Sequence, residues 1–129
     1  MNEMKNLKIS AVTIGIVILL LIMHLYGMAE HLYIKLWYYD IFMHILGGVS
    51  IAVSIYCILT LLRIEIVKSN SLNIILLTFI AGFAWELFEM YFDIAGAPLW
   101  TIPYYIDSSK DLLNDTIGAI FVSLILKNK

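Results

Sequence analysis

Residues 72–94 read LNIILLTFIAGFAWELFEMYFDI, and this stretch decides the fold. As helix its 23 residues extend ~35 Å at 1.5 Å per residue, enough to cross ~30 Å of hydrocarbon. The apolar run is continuous and does not alternate, which favours a helix over a membrane-barrel strand. Yet three acids, Glu86, Glu89 and Asp93, occupy its second half. A charge inside hydrocarbon costs at least ~2.5–3.5 kcal/mol, so such residues persist where they have partners or a function. The stretch predicts a transmembrane helix with a polar site near one end.

The rest of the chain has the same character. Hydrophobic residues make up 62% and charged residues 14%, against roughly 25% charged in a soluble protein. The mean hydropathy is +0.92. Residues 1–129 suit one transmembrane domain, with helices expected at about 9–28, 41–62, 72–94 and 111–126. The last is apolar only from residue 112. The predicted fold class is all-α, a polytopic membrane bundle of four transmembrane helices. Residues 1–8 before an apolar run, with Gly27-Met28-Ala29 after it, imitate a signal peptide. The run from 9 to 29 exceeds the ~7–15 residues of a signal core, so a retained first helix is expected. The single cysteine, Cys57, lies mid-span and reads as a small buried apolar residue; one cysteine allows no disulfide within a chain.

Basic residues orient the bundle. With four spans, Lys5, Lys8, Arg63, Lys68, Lys127 and Lys129 share one side, and Lys35 and Lys110 the other. This bias places both termini in the cytoplasm (N-in, C-in), in a cell membrane of the inner, cytoplasmic type. Asp40, His44, Glu86, Glu89, Asp93, Asp111 and Asp115 then all fall in the outer portion of the membrane. Independent placement would rarely produce that. The two outer loops, 30–39 and 95–110, are rich in aromatics, including Tyr33, Trp37, Tyr38, Tyr39, Trp100, Tyr104 and Tyr105. Trp and Tyr favour the headgroup level, so these read as an aromatic belt, or as a lid over the acidic site.

Within each helix the spacing is that of one face. Asp40 and His44 are i,i+4; Glu86, Glu89 and Asp93 are i, i+3, i+7; Asp111 and Asp115 are i,i+4. Three helices can therefore aim six carboxylates and an imidazole at one pocket, with almost no Lys or Arg nearby. A divalent cation is the simplest partner. Carboxylates with one imidazole suit Mg2+ or Mn2+ best, then iron, and zinc less for want of thiolates. Glu86, Glu89 and His44 are the candidates for catalytic work, and all seven residues are candidate ligands. Plainer roles exist for some of them. Asp111 follows Ser108 by three and could complete a capping box, and Asp40 could cap the second helix. Asn114 and Thr116 read as packing residues, and His24, Glu30 and His31 as interfacial. Gly47-Gly48, Ala81-Gly82 and Gly118-Ala119 permit close helix approach.

The pattern Tyr39-Asp40-x-x-x-His44-x-x-Gly47-Gly48, Trp85-Glu86-x-x-Glu89-x-x-x-Asp93, Asp111-x-x-x-Asp115-x-x-Gly118-Ala119 resembles the small VanZ-like and YjdF-type membrane proteins of bacteria and archaea. The resemblance covers roughly residues 39–119. It implies a four- or five-helix inner-membrane protein with an acidic motif near one face. Glu89 stands where VanZ-like members often carry Gln, which brings the chain nearer the YjdF type and away from a role in antibiotic resistance.

Three functions compete on this reading. One is a metal-dependent enzyme acting on a lipid or lipid-linked phosphate, with the cation neutralising phosphate oxygens and a carboxylate or His44 as base. Against it, no nucleophile stands out, and Arg or Lys to hold phosphate is scarce. The second is a proton- or cation-coupled transporter component, for which the apolar inner half of each helix would require a homo-oligomer to complete a path. The third is a non-catalytic structural or regulatory subunit whose polar cluster fixes helix packing. The bilayer is a partner in every case. Nucleic acid is not, since no basic stripe exists. Nicotinamide and P-loop motifs are absent, because the glycine pair at 47–48 lies inside a helix.

Overall fold

The computed structural model describes residues 2–65, 70–93 and 98–127. Five helices form within them: α1 (Asn2–Ala29), α2 (Leu32–Lys35), α3 (Tyr39–Leu61), α4 (Ser71–Phe92) and α5 (Ile102–Lys127). The protein is all-helical over these residues. Three helices are long and apolar enough to cross a membrane: α1 from Asn6, α3 and α4. At 26 residues α5 is long enough, but Asp107, Lys110, Asp111 and Asp115 make it too polar to qualify by composition. Four spans were expected, and length with composition establishes three.

The largest departure from the sequence reading is at α5. The outer loop expected over 95–110 is helical from Ile102 onward, while 95–97 lie outside the described residues. Thr101 accounts for the early start. Its hydroxyl accepts a hydrogen bond from the Tyr104 N–H at 3.4 Å and donates to the Pro98 carbonyl at 2.6 Å. Pro103 then falls in the first turn, where its missing N–H breaks no helix bond. Ser108 and Asp111 are consequently inside the helix and form no capping box. Asp40 is no cap either: Tyr38 precedes α3 without a side-chain cap bond, and Asp40 occupies the first turn, where the helix dipole favours an acid.

The other boundaries moved less. Loop 30–39 contains the unexpected turn α2, entered through His31 at φ 54°. Helix α4 begins at an Asn70 cap that accepts from the Leu72 N–H at 3.0 Å. It ends at Phe92, because Asp93 turns left-handed at φ 53° and its N–H bonds back to Glu89 and Met90. Ile94, the expected last residue of that helix, lies outside the described residues, as do Lys68 and Lys129 from the orientation count.

Contacts along the helices fix their directions. Helix α1 runs antiparallel to α3: Ser10 meets Cys57 at 3.6 Å near one end, and the Tyr39 hydroxyl donates to the Met23 carbonyl at 2.7 Å near the other. Helices α3 and α5 run parallel as the most closely packed pair, with His44 beside Asp115 and Ala52 beside Ala119 and Val122. Helix α4 runs antiparallel to both, its Ile74 completing the core with Ala52, Ala119 and Val122. The core is small, as expected where lipid rather than water meets the outer faces. Helix α1 packs on α3 and α2 but not on α4 or α5. Every acid of interest therefore lies toward one end of the bundle, where α1 and α4 finish and α3 and α5 begin.

Candidate metal centre

Glycines seat the centre of the site. A Cβ on Gly48 would collide with the Asp115 backbone carbonyl, and one on Gly118 with the Ile45 carbonyl. Helices α3 and α5 thus touch backbone to backbone, closer than any side chain would allow. This contact drives the Asp115 carboxyl between α3 and α4. There it would lie 2.7 Å from a Cβ on Gly82 and 3.6 Å from one on Gly47. The small residues expected to permit close packing do so, and they also make the slot that Asp115 fills.

His44 is clasped from both ring nitrogens. Its Nδ1 lies 3.4 Å from Asp115 Oδ1, while its Nε2 lies 3.6 Å from Asp111 Oδ1 and 3.7 Å from Asp40 Oδ1. The side chains of Asp111 and Asp115 are 9% and 5% exposed, against 37% for Asp40 at the mouth. One ligand atom from each of Asp40, His44 and Asp111 falls within 4.8 Å of the others. Cation–oxygen and cation–nitrogen bonds of ~2.0–2.2 Å put neighbouring ligand atoms ~3 Å apart, so the three side chains would have to draw together around an ion.

The remaining expected residues surround this group without joining it. Glu86 is 95% buried, from its 5% exposure, and its Oε1 has no hydrogen-bond partner among the described residues. It interacts with Ser108 and lies within electrostatic reach of His44, Asp115 and Asp107. Glu89 accepts a 2.7 Å hydrogen bond from the Trp85 indole. Asp93 is exposed at the end of α4, and its left-handed turn takes it off the face that carries Glu86 and Glu89.

Two groups near the site escaped the sequence reading. Asp107 acts electrostatically on Asp40, Glu86 and Asp111, and Ser108 reaches Glu86. The signal is the i, i+4, i+8 run of Asp107, Asp111 and Asp115, which a loop over 95–110 conceals. On the α1 side, His24 Nδ1 meets the Tyr33 hydroxyl at 2.8 Å, and Tyr33 packs edge-on against Tyr39 at 5.0 Å. Burial first, then Tyr39, Asp40 and Glu89, push the Tyr33 hydroxyl up to about 12. The aromatic loops accordingly divide. Tyr33, Tyr39 and Tyr104 turn inward, while Trp37, Tyr38, Trp100 and Tyr105 are exposed as a belt would be.

Beside the cluster a cleft of about 490 Å3 opens between α1 and α4, floored by α3. Asp40, His44, Glu89 and Asp115 line its polar end, and Val17, Leu20, Leu21, Met43 and Ile51 its apolar length.

The membrane character of the chain is shared with a family of sequences to which it is similar. The family described as "Predicted membrane protein (DUF2238)" matches residues 1–128. The chain belongs to it. DUF2238 membership makes this a membrane protein of several apolar helices and assigns no reaction. It does not establish the VanZ-like or YjdF-type relationship that the motif pattern suggested. No curated protein and no solved structure matches the chain.

Proposed function

We propose that the protein binds a divalent cation, Mg2+ or Mn2+, through Asp40, His44 and Asp111. The observation that carries this reading is the two-sided clasp of His44. Metal-ligating histidines characteristically donate their second ring N–H to a carboxylate, which fixes the tautomer and orients the other nitrogen. Asp115 is placed for that task at Nδ1, leaving Nε2 to the side where Asp40 and Asp111 converge. The competing arrangement is an imidazolium shared among three carboxylates, with no ion.

The activity this arrangement supports best is a metal-dependent enzyme acting on a lipid or lipid-linked phosphate. A bound cation would supply charge neutralisation to phosphate oxygens, offsetting the scarcity of Arg and Lys. With His44 engaged as a ligand, Glu86 is the leading base, since its Oε1 is not committed to another group among the described residues. Glu89, held by Trp85, is the alternative base.

An orientation follows on this reading. Helix α5, which runs opposite to α4, would be a fourth span entering the membrane near Asp111. Six of the eight basic residues then lie on the side of both termini, which is cytoplasmic by the positive-inside rule. The site opens at the outer face of the cell membrane.

Thermal unfolding of purified protein against Mg2+, Mn2+ and Zn2+ tests the cation. A ligand bound only by the folded state stabilises by ~2.7 kcal/mol at a hundredfold excess over Kd. A saturable, cation-selective rise in Tm, lost in Asp111→Asn, is the expected result. A flat response to every cation overturns the reading in favour of the imidazolium clasp and a structural role for the cluster.

A further inference from the structure

The cleft between α1 and α4 is a different feature from the cation cluster, and its shape says what enters it. Both helices pack on α3, but not on one another, so the trough over α3 has no wall on its outer side. Val17 and Leu21 on one flank and Trp85 on the other are 42%, 55% and 46% exposed. All three sit within helices long and apolar enough to cross a membrane, so the medium at this opening is lipid. From Asp40 to Ile51 the trough follows α3 for ~16 Å at 1.5 Å per residue. Open sideways to lipid and lined by Val17, Leu20, Leu21, Met43 and Ile51, the trough suits an extended hydrocarbon chain. Polarity runs along it in one direction. The deep end is Val17, Ile51 and Ala81, the Asp115 carboxyl enters beside Gly47, and the far end is Asp40, His44 and Glu89.

We infer that this cleft takes a single hydrocarbon chain of a membrane amphiphile, entering sideways between α1 and α4, and presents its phosphate headgroup at the Asp40–His44–Asp111 site. The inference rests on the cation reading for the headgroup, but the chain-binding half stands on the cleft alone. Any second chain of the same lipid stays in the bilayer. A soluble phosphate would leave the trough unfilled and gain nothing from it.

The test uses the full chain, Mn2+ and two phosphate monoesters that differ only in chain: hexadecyl phosphate and methyl phosphate. Native mass spectrometry from mild detergent counts what each protein molecule retains. The wild type is expected to keep one hexadecyl phosphate and no methyl phosphate. Ala81→Phe, which fills the deep end, should retain at most a tenth as much amphiphile while still binding Mn2+. Leu21→Trp on the opposite flank provides a second block should Ala81→Phe fail to fold. Equal retention by wild type and both folded variants overturns the inference, as does equal retention of the two monoesters. A dimer that retains no amphiphile also overturns it, since a second copy would then cover the trough. Amphiphile retained without Mn2+ binding supports the cleft and defeats the cation reading. Mn2+ bound without amphiphile does the reverse.

Discussion

Helices α1 and α5 both pack on α3 but not on one another, and they attach to it by opposite means. Helix α5 is the more polar, yet it is the more deeply packed. Glycines bring its backbone against α3, and Asp111, Asn114 and Asp115 are buried along with Ala119 and Val122. Helix α1 is almost wholly apolar, yet only 6% of its span is buried, and it is tied to α3 by Ser10 to Cys57 and by Tyr39 to the Met23 carbonyl. In a bilayer, apolar surface alone gives helices no reason to associate, because lipid tails are as apolar as leucine. Close packing and polar contacts do, and α5 has both. The loosely held helix is the one that borders the cleft, and the tightly held one carries the ligands.

The largest effect should come from breaking the α3–α5 contact. Gly48→Leu drives a side chain into the Asp115 backbone, where neither side can yield. We expect a loss of more than ~3 kcal/mol, the upper end of ordinary overpacking, seen as aggregation or absence of a monodisperse peak on purification. Gly15→Leu on α1 is the matched control, since a Cβ there meets nothing within 4 Å. It should leave Tm unchanged or raise it slightly, because leucine is the better helix former by up to ~1 kcal/mol. A tolerated Gly48→Leu would mean that the two helices are not in backbone contact.

The next effect concerns the role assigned to Asp115. Asp111→Asn removes a proposed ligand, whereas Asp115→Asn weakens only the group that orients His44. Loss of such supporting partners typically lowers metal affinity ~10–100-fold. Mn2+ titration should therefore show no measurable binding for Asp111→Asn and a right-shifted but complete isotherm for Asp115→Asn. Equal, complete loss in both would make Asp115 a direct ligand and change the geometry of the site.

On the α1 side the effects shrink. Tyr39→Phe removes the hydroxyl that donates to the Met23 carbonyl and leaves the ring against Gly27. A net hydrogen bond contributes ~0.5–1.5 kcal/mol, so Tm should fall modestly while Mn2+ affinity holds. A loss of Mn2+ binding in this variant would show that α1 helps to form the cation site, contrary to its separation from α4 and α5.

The same contrast explains what the sequence made legible. The three apolar spans were readable because length and continuous hydrophobicity are local properties. The gathering of Asp40, His44, Asp111 and Asp115 at one end was readable too, since each pair's i,i+4 spacing and the alternation of helix direction sufficed. The start of α5 was not, because Ser108 and Asp111 carry the spacing of a capping box while the helix opens at Thr101. That error concealed Asp107 and Ser108. The exclusion of Asp93 was equally hidden, because an i, i+7 pattern holds only while the helix lasts and α4 stops one residue short of it. The cleft was invisible for a different reason. It depends on α1 and α4 failing to meet, and hydropathy does not encode a missing contact.

The smallest effect is one of pH, and it bears on the α2 turn that joins α1 to α3. Tyr33 lies outside the long helices, and its hydroxyl is raised from the ordinary 10.0 to about 12. The folded protein holds this proton more tightly than the unfolded chain does. The resulting stabilisation is fully present below pH 10 and is lost as pH rises toward 12. Tyr33→Phe has no such proton, so the stability difference between wild type and variant should be constant up to pH 10 and then move in the variant's favour. Chemical unfolding at pH 8, 10 and 11.5 measures it. Because Tyr33 is only half-buried, solvent screening keeps the shift small. A difference that stays constant to pH 11.5 would mean that the phenol is free in solvent, so that neither His24 nor the carboxylates of Asp40 and Glu89 stand close to it.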